Sequence, residues 1–453
     1  MYLKFITCQN HNVFVERGAF MEPITISIIT VAMFLVCLTM GMHVGLSLLL
    51  SGFVGMVMLR NINIAILQLA NIGWDTVATF SFAVIPMFML MGNFATHSGI
   101  TADLFSACYR WIGRFRGGLG FVVVGTTAMF NCFCGSATAS TATIGTVCYP
   151  EMIKYKYRPA VCAGIIASSS AYGLLIPPSI GFIVYCMMTG TSVGKMFAAG
   201  IVPSIIIVAL SFVIITIWAR RDPEAMPRGE KFTFKEKVKS LKDIVTFMAL
   251  FIFMLWGILT GFFSPSEGGS VGAFGAFLIL VARRKATFPV IWRCLKDSAK
   301  TTTMIFIIMV GATYFGNMLA LTMMPRALAQ AMVAMDTSPF VVIWILIAVY
   351  IILGTAVDTL PLISILTPIF WPIVIAMNWD PLWFGVITVS CMLVGLITPP
   401  DGVPVYIMSG ISKVPLMTVF KNCMPFFFLL VGVLTLIVYC EPLVTWFPAF
   451  IGA

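Results

Sequence analysis

Two segments of this sequence combine residue types that can hold a hard cation beside an anion. The first reads Gly173-Leu174-Leu175-Ile176-Pro177-Pro178-Ser179-Ile180-Gly181, and the second Gly395-Leu396-Ile397-Thr398-Pro399-Pro400-Asp401-Gly402. They share a Gly-Leu-x-x-Pro-Pro core at an offset of 222 residues. Proline donates no backbone hydrogen bond and disrupts the helix around it, so two prolines near a glycine are expected to unwind a helix. The freed carbonyls, with Ser and Thr hydroxyls, suit a hard cation. Half-helix N-termini carry partial positive charge and suit a carboxylate. One construction can thus hold Na⁺ and an organic anion together.

Each segment follows a long apolar stretch with a polar centre. In 117–153 the centre is Gly135-Ser136-Ala137-Thr138-Ala139-Ser140-Thr141. In 340–378 it is Gly354-Thr355-Ala356-Val357-Asp358-Thr359-Leu360-Pro361. A charge deep in an apolar stretch costs roughly 2.5–3.5 kcal/mol to insert, which makes Asp358 a functional candidate. Asp401, after the second Pro-Pro, is the other unusual acid.

The elements that carry these residues must be membrane helices. Of 453 residues, 60% are apolar and 10% charged, with a mean hydropathy of +1.03. That leaves too little polar surface for a soluble enzyme. Apolar runs of helical length recur along the chain, and the alternation of a membrane β-barrel is missing. Candidate spans are 24–43, 45–59, 80–97, 197–219, 244–262, 268–282, 302–322 and 424–440. The net charge of +10 is concentrated between runs: of 27 Lys and Arg, eight lie in 220–242 and six in 283–300. This is the pattern of cytoplasmic loops beside lipid headgroups, not of a nucleic-acid surface. The twelve Cys and three His are scattered without metal-ligand spacing. No nucleophile–base pairing and no Walker motif appears, so an enzyme is not expected.

Charge also orients the two interrupted stretches. Arg110, Arg114 and Arg116 precede 117–153, and Lys154, Lys156 and Arg158 follow it. Both ends are therefore cytoplasmic, and the 36-odd residues form a re-entrant hairpin of two half-depth helices rather than two spans. The flanks of 340–378, Asp336 to Pro339 and Asn378 to Pro381, carry no basic residue, so this hairpin enters from outside. The expected fold is all-α and polytopic: an inverted repeat with two re-entrant hairpins and two Pro-Pro-broken helices. Residues 1–23 form a polar extension, with Met21 as an alternative translation start. Residues 24–219 make the first repeat, 220–243 a basic cytoplasmic linker, and 244–453 the second repeat. Paired Gly/Pro-interrupted segments in two halves point to the site of a secondary transporter.

Four blocks resemble the large membrane subunit of tripartite ATP-independent periplasmic (TRAP) transporters, the DctM type. They are Phe82 to Gly92; Gly135-Ser136 through Gly145 with Pro150-Glu151-Met152 and Tyr157; Ile176-Pro177-Pro178-Ser179 with Thr189 to Gly194 and Phe197; and Gly261 to Glu267. The resemblance covers nearly the whole chain from about residue 24. It implies an elevator-type importer of small organic carboxylates, such as C4-dicarboxylates, coupled to Na⁺ in the bacterial inner membrane. It also implies a periplasmic substrate-binding protein and a small four-helix membrane subunit as partners. Carried over by the same resemblance, one Na⁺ site uses Gly135, Ser136 and Thr138 with Gly173 and Pro177. The mirrored site uses Gly354, Thr355, Gly395, Thr398 and Pro400. Ser179 and Asp358 fall near substrate. Asp401 departs from the family's apolar residue there. A proton-coupled or binding-protein-independent carboxylate permease of the same wider fold is the alternative.

Cysteines introduced by Lys154→Cys and Ser338→Cys are expected to react with a membrane-impermeant thiol reagent from opposite sides of the membrane. Reaction of both from one side contradicts the inversion.

Overall fold

The computed structural model describes residues 22–334, 338–355, 357–400 and 402–452. The polar extension with Met21, the flank residues Asp336 and Thr337, and Asp401 lie outside the described residues. The described chain is helical, with one isolated bridge between Arg116 and Arg228.

The chain opens with α1 (Pro23–Thr39), α2 (Val44–Leu59) and α3 (Ile62–Ala78), followed by a tight turn at Phe80–Ala83 that feeds α4 (Val84–Ser98). A short α5 (Ile100–Ile112) leads to the first hairpin, α6 (Gly118–Cys134) and α7 (Ala137–Lys154). Then come α8 (Pro159–Ala171), the first break, α9 (Ile180–Thr189) and α10 (Val193–Arg221). Beyond the linker are α11 (Phe234–Leu259), α12 (Pro265–Ala282), α13 (Phe288–Leu321) and a short α14 (Met324–Ala334). The second hairpin is α15 (Pro339–Gly354) and α16 (Thr359–Ala376). It is followed by α17 (Pro381–Leu396), the second break, α18 (Val403–Ser412), α19 (Leu416–Tyr439) and α20 (Pro442–Phe450). Six segments among the described residues are long and apolar enough to cross a membrane: Phe80–Ser98, α10, α12, α13, α16 and α19.

Helix starts are marked by oxygen-bearing side chains. Ser136, Ser179, Ser192, Thr233, Ser264, Ser338, Asp358 and Asp380 each accept a backbone N–H of the helix they open. Where no water reaches, such caps satisfy amides that would otherwise be orphaned. At the start of α11 Thr233 and Glu236 cap each other's backbone, and these hydrogen bonds hold the Glu236 carboxyl below its usual range.

The two halves interlock reciprocally. α7 packs on α8 and α18, while α16 packs on α17 and α9. α8 packs on α19 as α17 does on α10, and α6 on α8 as α15 does on α17. Each hairpin therefore lies against the other half's broken helix, which is the three-dimensional form of the sequence repeat. The hairpin arms are longer than half-depth. They hold 17 and 18 residues in the first hairpin and 16 and 18 in the second. At 1.5 Å per residue each runs about 25 Å, close to the ~30 Å hydrocarbon thickness. Each tip's contact with a helix break, not arm length, fixes where the tips lie.

One close approach depends on glycine. A Cβ at Gly395 would lie 2.6 Å from the Gly354 carbonyl oxygen, so the second hairpin and second broken helix touch backbone to backbone. Gly395→Ala is expected to cost about 1–3 kcal/mol through overpacking and to lower the thermal midpoint in detergent. Gly410→Ala, inside α18 where a Cβ meets nothing within 4 Å, should leave the midpoint unchanged or raise it, since alanine favours a helix over glycine by up to about 1 kcal/mol. Equal midpoints for both variants would remove the contact from the account.

Candidate functional site

The interruptions converge. A small cleft of about 80 Å³ is lined by Gly135, Ser136, Ala137 and Thr138 from the first tip and by Asp358, Thr359 and Leu360 from the second. Leu174 and Ile180, either side of the first break, and Leu396, just before the second, also line it. Its remaining wall is Thr301, Met304 and Ile305 of α13. A larger cavity of about 620 Å³ beside Phe80, Phe262 and Phe263 has little polar lining. There the Glu267 carboxylate accepts the Ser264 N–H at the start of α12.

The first tip turns at Gly135, whose φ of +58° is the left-handed conformation glycine adopts without penalty. A Cβ there would lie 2.8 Å from the Pro178 carbonyl oxygen, so the tip rests against the first Pro-Pro break. Ser136 Oγ lies 3.0 Å from Thr138 Oγ1 and accepts the Ala139 N–H. These two hydroxyls, at a tip with exposed Thr138, can turn toward a cation. Gly173 sits in the tight turn Tyr172–Leu174 and Pro177 is buried in the break behind it.

Asn131 is the residue the sequence reading missed. It lies one turn before the tip, fully buried, and neither its amide nitrogen nor its amide oxygen has a hydrogen-bond partner. Its Oδ1 is 2.8 Å from where a Gly173 Cβ would be. An unpaired buried amide is costly, and a cation bound between the tip and Gly173 would use the oxygen. A single Asn in an apolar run reads as helix packing; the signal was its position one turn from the glycine of the tip. Thr301 was also missed, because it lies on a helix without a break.

At the second tip Asp358 is exposed to the cleft and caps α16, its Oδ1 accepting the Thr359 N–H at 2.7 Å. Gly354 and Gly395 are in contact, as described above. The Thr355 and Thr398 hydroxyls donate to the carbonyls of Ile352 and Val394 at 2.8 and 2.6 Å, leaving their oxygen lone pairs available. Pro400 is exposed, and its carbonyl accepts the Tyr406 hydroxyl. Ser179 is fully buried; its hydroxyl donates to the Leu174 carbonyl and accepts the Phe182 N–H, and it does not line the cleft.

Comparison with known proteins gives this arrangement its family. Residues 31–443 match the family described as "Tripartite ATP-independent periplasmic transporter, DctM component". The chain belongs to the DctM family. It is 31% identical to the C4-dicarboxylate TRAP transporter large permease protein DctM of Pseudomonas aeruginosa, over 84% of this chain and 88% of that one. It is 30% identical to the 2,3-diketo-L-gulonate TRAP transporter large permease protein YiaN of Escherichia coli, over 91% and 98%. The fold is also that of the Alcanivorax borkumensis YdaH transporter, with a TM-score of 0.60 at 14% identity over 84% of this chain and 88% of that one. The protein is a TRAP large permease subunit, a multi-pass component of the inner membrane. These relatives are named as transporter permeases, not enzymes. DctM-family permeases work with a small membrane subunit and a periplasmic binding protein.

Asn131→Leu is expected to leave the fold intact and to raise the Na⁺ concentration for half-maximal transport at least tenfold, with Ser136→Ala giving a smaller rise. If the amide is only a packing group, Asn131→Leu will raise the thermal midpoint and leave sodium dependence unchanged.

Proposed function

We propose that this DctM-family permease imports a small organic carboxylate, C4-dicarboxylate-like in chemistry, by symport with Na⁺. It takes the substrate from a periplasmic binding protein and works beside a small four-helix membrane subunit. The observation that carries this reading is the meeting of both hairpin tips and both helix breaks on one cleft. The described lining of that cleft contains one carboxylate, Asp358, and no basic side chain. An anionic substrate beside Asp358 needs cations to offset the repulsion. Oxygens at Asn131, Ser136 and Thr138 on one side, and at Gly354, Thr355 and Thr398 on the other, suit two such ions.

Coupling to Na⁺ supplies the drive. Each net positive charge carried inward gains about 2.3 kcal/mol per 100 mV, which is roughly fifty-fold accumulation. An elevator motion is the natural route, since the cleft lies between the hairpin tips and α13 and would change sides if the hairpins slid along that helix. Exposure supports release to the cytoplasm. Thr138, Ala139, Ala142 and Thr146 leave a small, exposed stripe along α7 toward the basic residues at its end. The matching arm α16 is buried from Pro361 through Thr367 and covered by α13. The relatives named above carry two different carboxylates in their names.

In proteoliposomes holding the assembled transporter, replacing Na⁺ by choline at fixed pH should reduce uptake at least tenfold. Undiminished uptake rules out sodium coupling and leaves a proton, with Asp358 as its acceptor. Asp358→Asn should abolish uptake without affecting membrane insertion.

A further inference from the structure

A second polar cavity, of about 520 Å³, shares no lining residue with the transport cleft and lies at the basic, cytoplasmic end of α11 and α12. It is lined by Asp103 of α5, Lys242 and Thr246 of α11, Ala282 of α12, and Arg283 and Lys285 of the following turn. We propose that this cavity binds the phosphate of an anionic phospholipid from the cytoplasmic leaflet.

The charges are divided between structure and ligand. Arg283 is engaged: it is ion-paired with Asp103, reaches the Ser98 carbonyl, and lies 5.6 Å over the Phe247 ring. That pairing fixes the cavity's back wall and neutralises Asp103, the one carboxylate in its described lining. Lys242 and Lys285 are exposed, and neither is ion-paired among the described residues. The cavity therefore presents two ammonium groups with no paired acid, and Thr246 adds a hydroxyl. Two cations and a hydroxyl on one cavity, from α11 and the turn after α12, are what a phosphodiester needs.

The surroundings fit a lipid rather than a free anion. Within two turns of the cavity, Val245 of α11 and Leu278 and Val281 of α12 are 55%, 50% and 46% exposed. Ile252 and Phe274 continue this apolar surface toward the middle of both helices. A headgroup at Lys242 and Lys285 would lay its acyl chains on it. α11 also bends by 56° between Phe234–Lys242 and Ile244–Leu259, directly beside the cavity. The nine residues before the bend carry Lys235, Lys237, Lys239 and Lys242, with Phe234 and Val238 exposed among them. An amphipathic, basic stretch of this kind lies along a membrane surface. Because Asp103 and Ser98 belong to the junction between α4 and the first hairpin's connector, an occupied site would brace the chain where it leaves α4.

Native mass spectrometry of the purified full chain tests the assignment, with dioleoylphosphatidylglycerol, phosphatidylcholine and glycerol phosphate as probes. Phosphatidylglycerol should be retained in preference to phosphatidylcholine, and glycerol phosphate should not displace it. Lys242→Gln alone should weaken retention about fivefold, and Lys242→Gln with Lys285→Gln about 25-fold, from roughly 1 kcal/mol for each direct hydrogen bond to the phosphate that is lost. Lys235→Gln with Lys239→Gln, outside the cavity, should change it less than twofold. Lys242→Arg with Lys285→Arg should retain binding, which separates lost charge from lost folding. Equal loss for the inside and outside pairs, undiminished binding in the double Gln variant, or displacement by glycerol phosphate each overturns the proposal.

Discussion

A polypeptide inside hydrocarbon must satisfy every backbone N–H and C=O from its own atoms. Four interruptions in this chain, two hairpin tips and two Pro-Pro breaks, violate that rule if taken singly. They become tolerable together. The first tip rests on the Pro178 carbonyl, the Gly354 carbonyl lies against Gly395, and Ser136, Ser179 and Asp358 cap the helices that restart. The same arrangement that makes the interruptions affordable concentrates oxygen atoms and helix ends at one place, and that is what a cation and a carboxylate require.

The reciprocal packing explains why two copies are needed. Each tip rests on the break of its own half, Gly135 on Pro178 and Gly354 on Gly395, while the arm behind it leans on the other half, α7 on α18 and α16 on α9. The symmetry is broken at α13. This helix packs on α16 and supplies Thr301, Met304 and Ile305 to the cleft, while the equivalent face of α7 stays exposed. The site is therefore pseudo-symmetric, with one face covered and one face open.

Much of this was legible in the sequence because membrane constraints are severe. Pro177-Pro178 and Pro399-Pro400 mark breaks where single prolines such as Pro203 and Pro425 stay inside helices, and the flanking Lys and Arg orient the segments between them. What the sequence left hidden depends on contacts. α3, α5, α14 and α20 are short or mixed in polarity, and their helical form comes from packing rather than from an apolar run. The family resemblance placed Ser179 near substrate; in the fold its hydroxyl turns to Leu174 inside the break. Asn131 lies one turn from the tip glycine in sequence, but only the fold brings Gly173 to its amide. The length of the hairpin arms was underestimated for a related reason, since charge places their ends and says nothing about their tilt.

The most direct measure of the central claim is the alkylation rate of a cysteine introduced by Thr138→Cys at the first tip, compared in Na⁺ and in choline, each with and without the transported carboxylate. The account predicts that Na⁺ slows the reaction and that carboxylate slows it further only when Na⁺ is present. Equal rates in all four conditions would contradict it, because the tip would then be a surface turn that neither ligand touches.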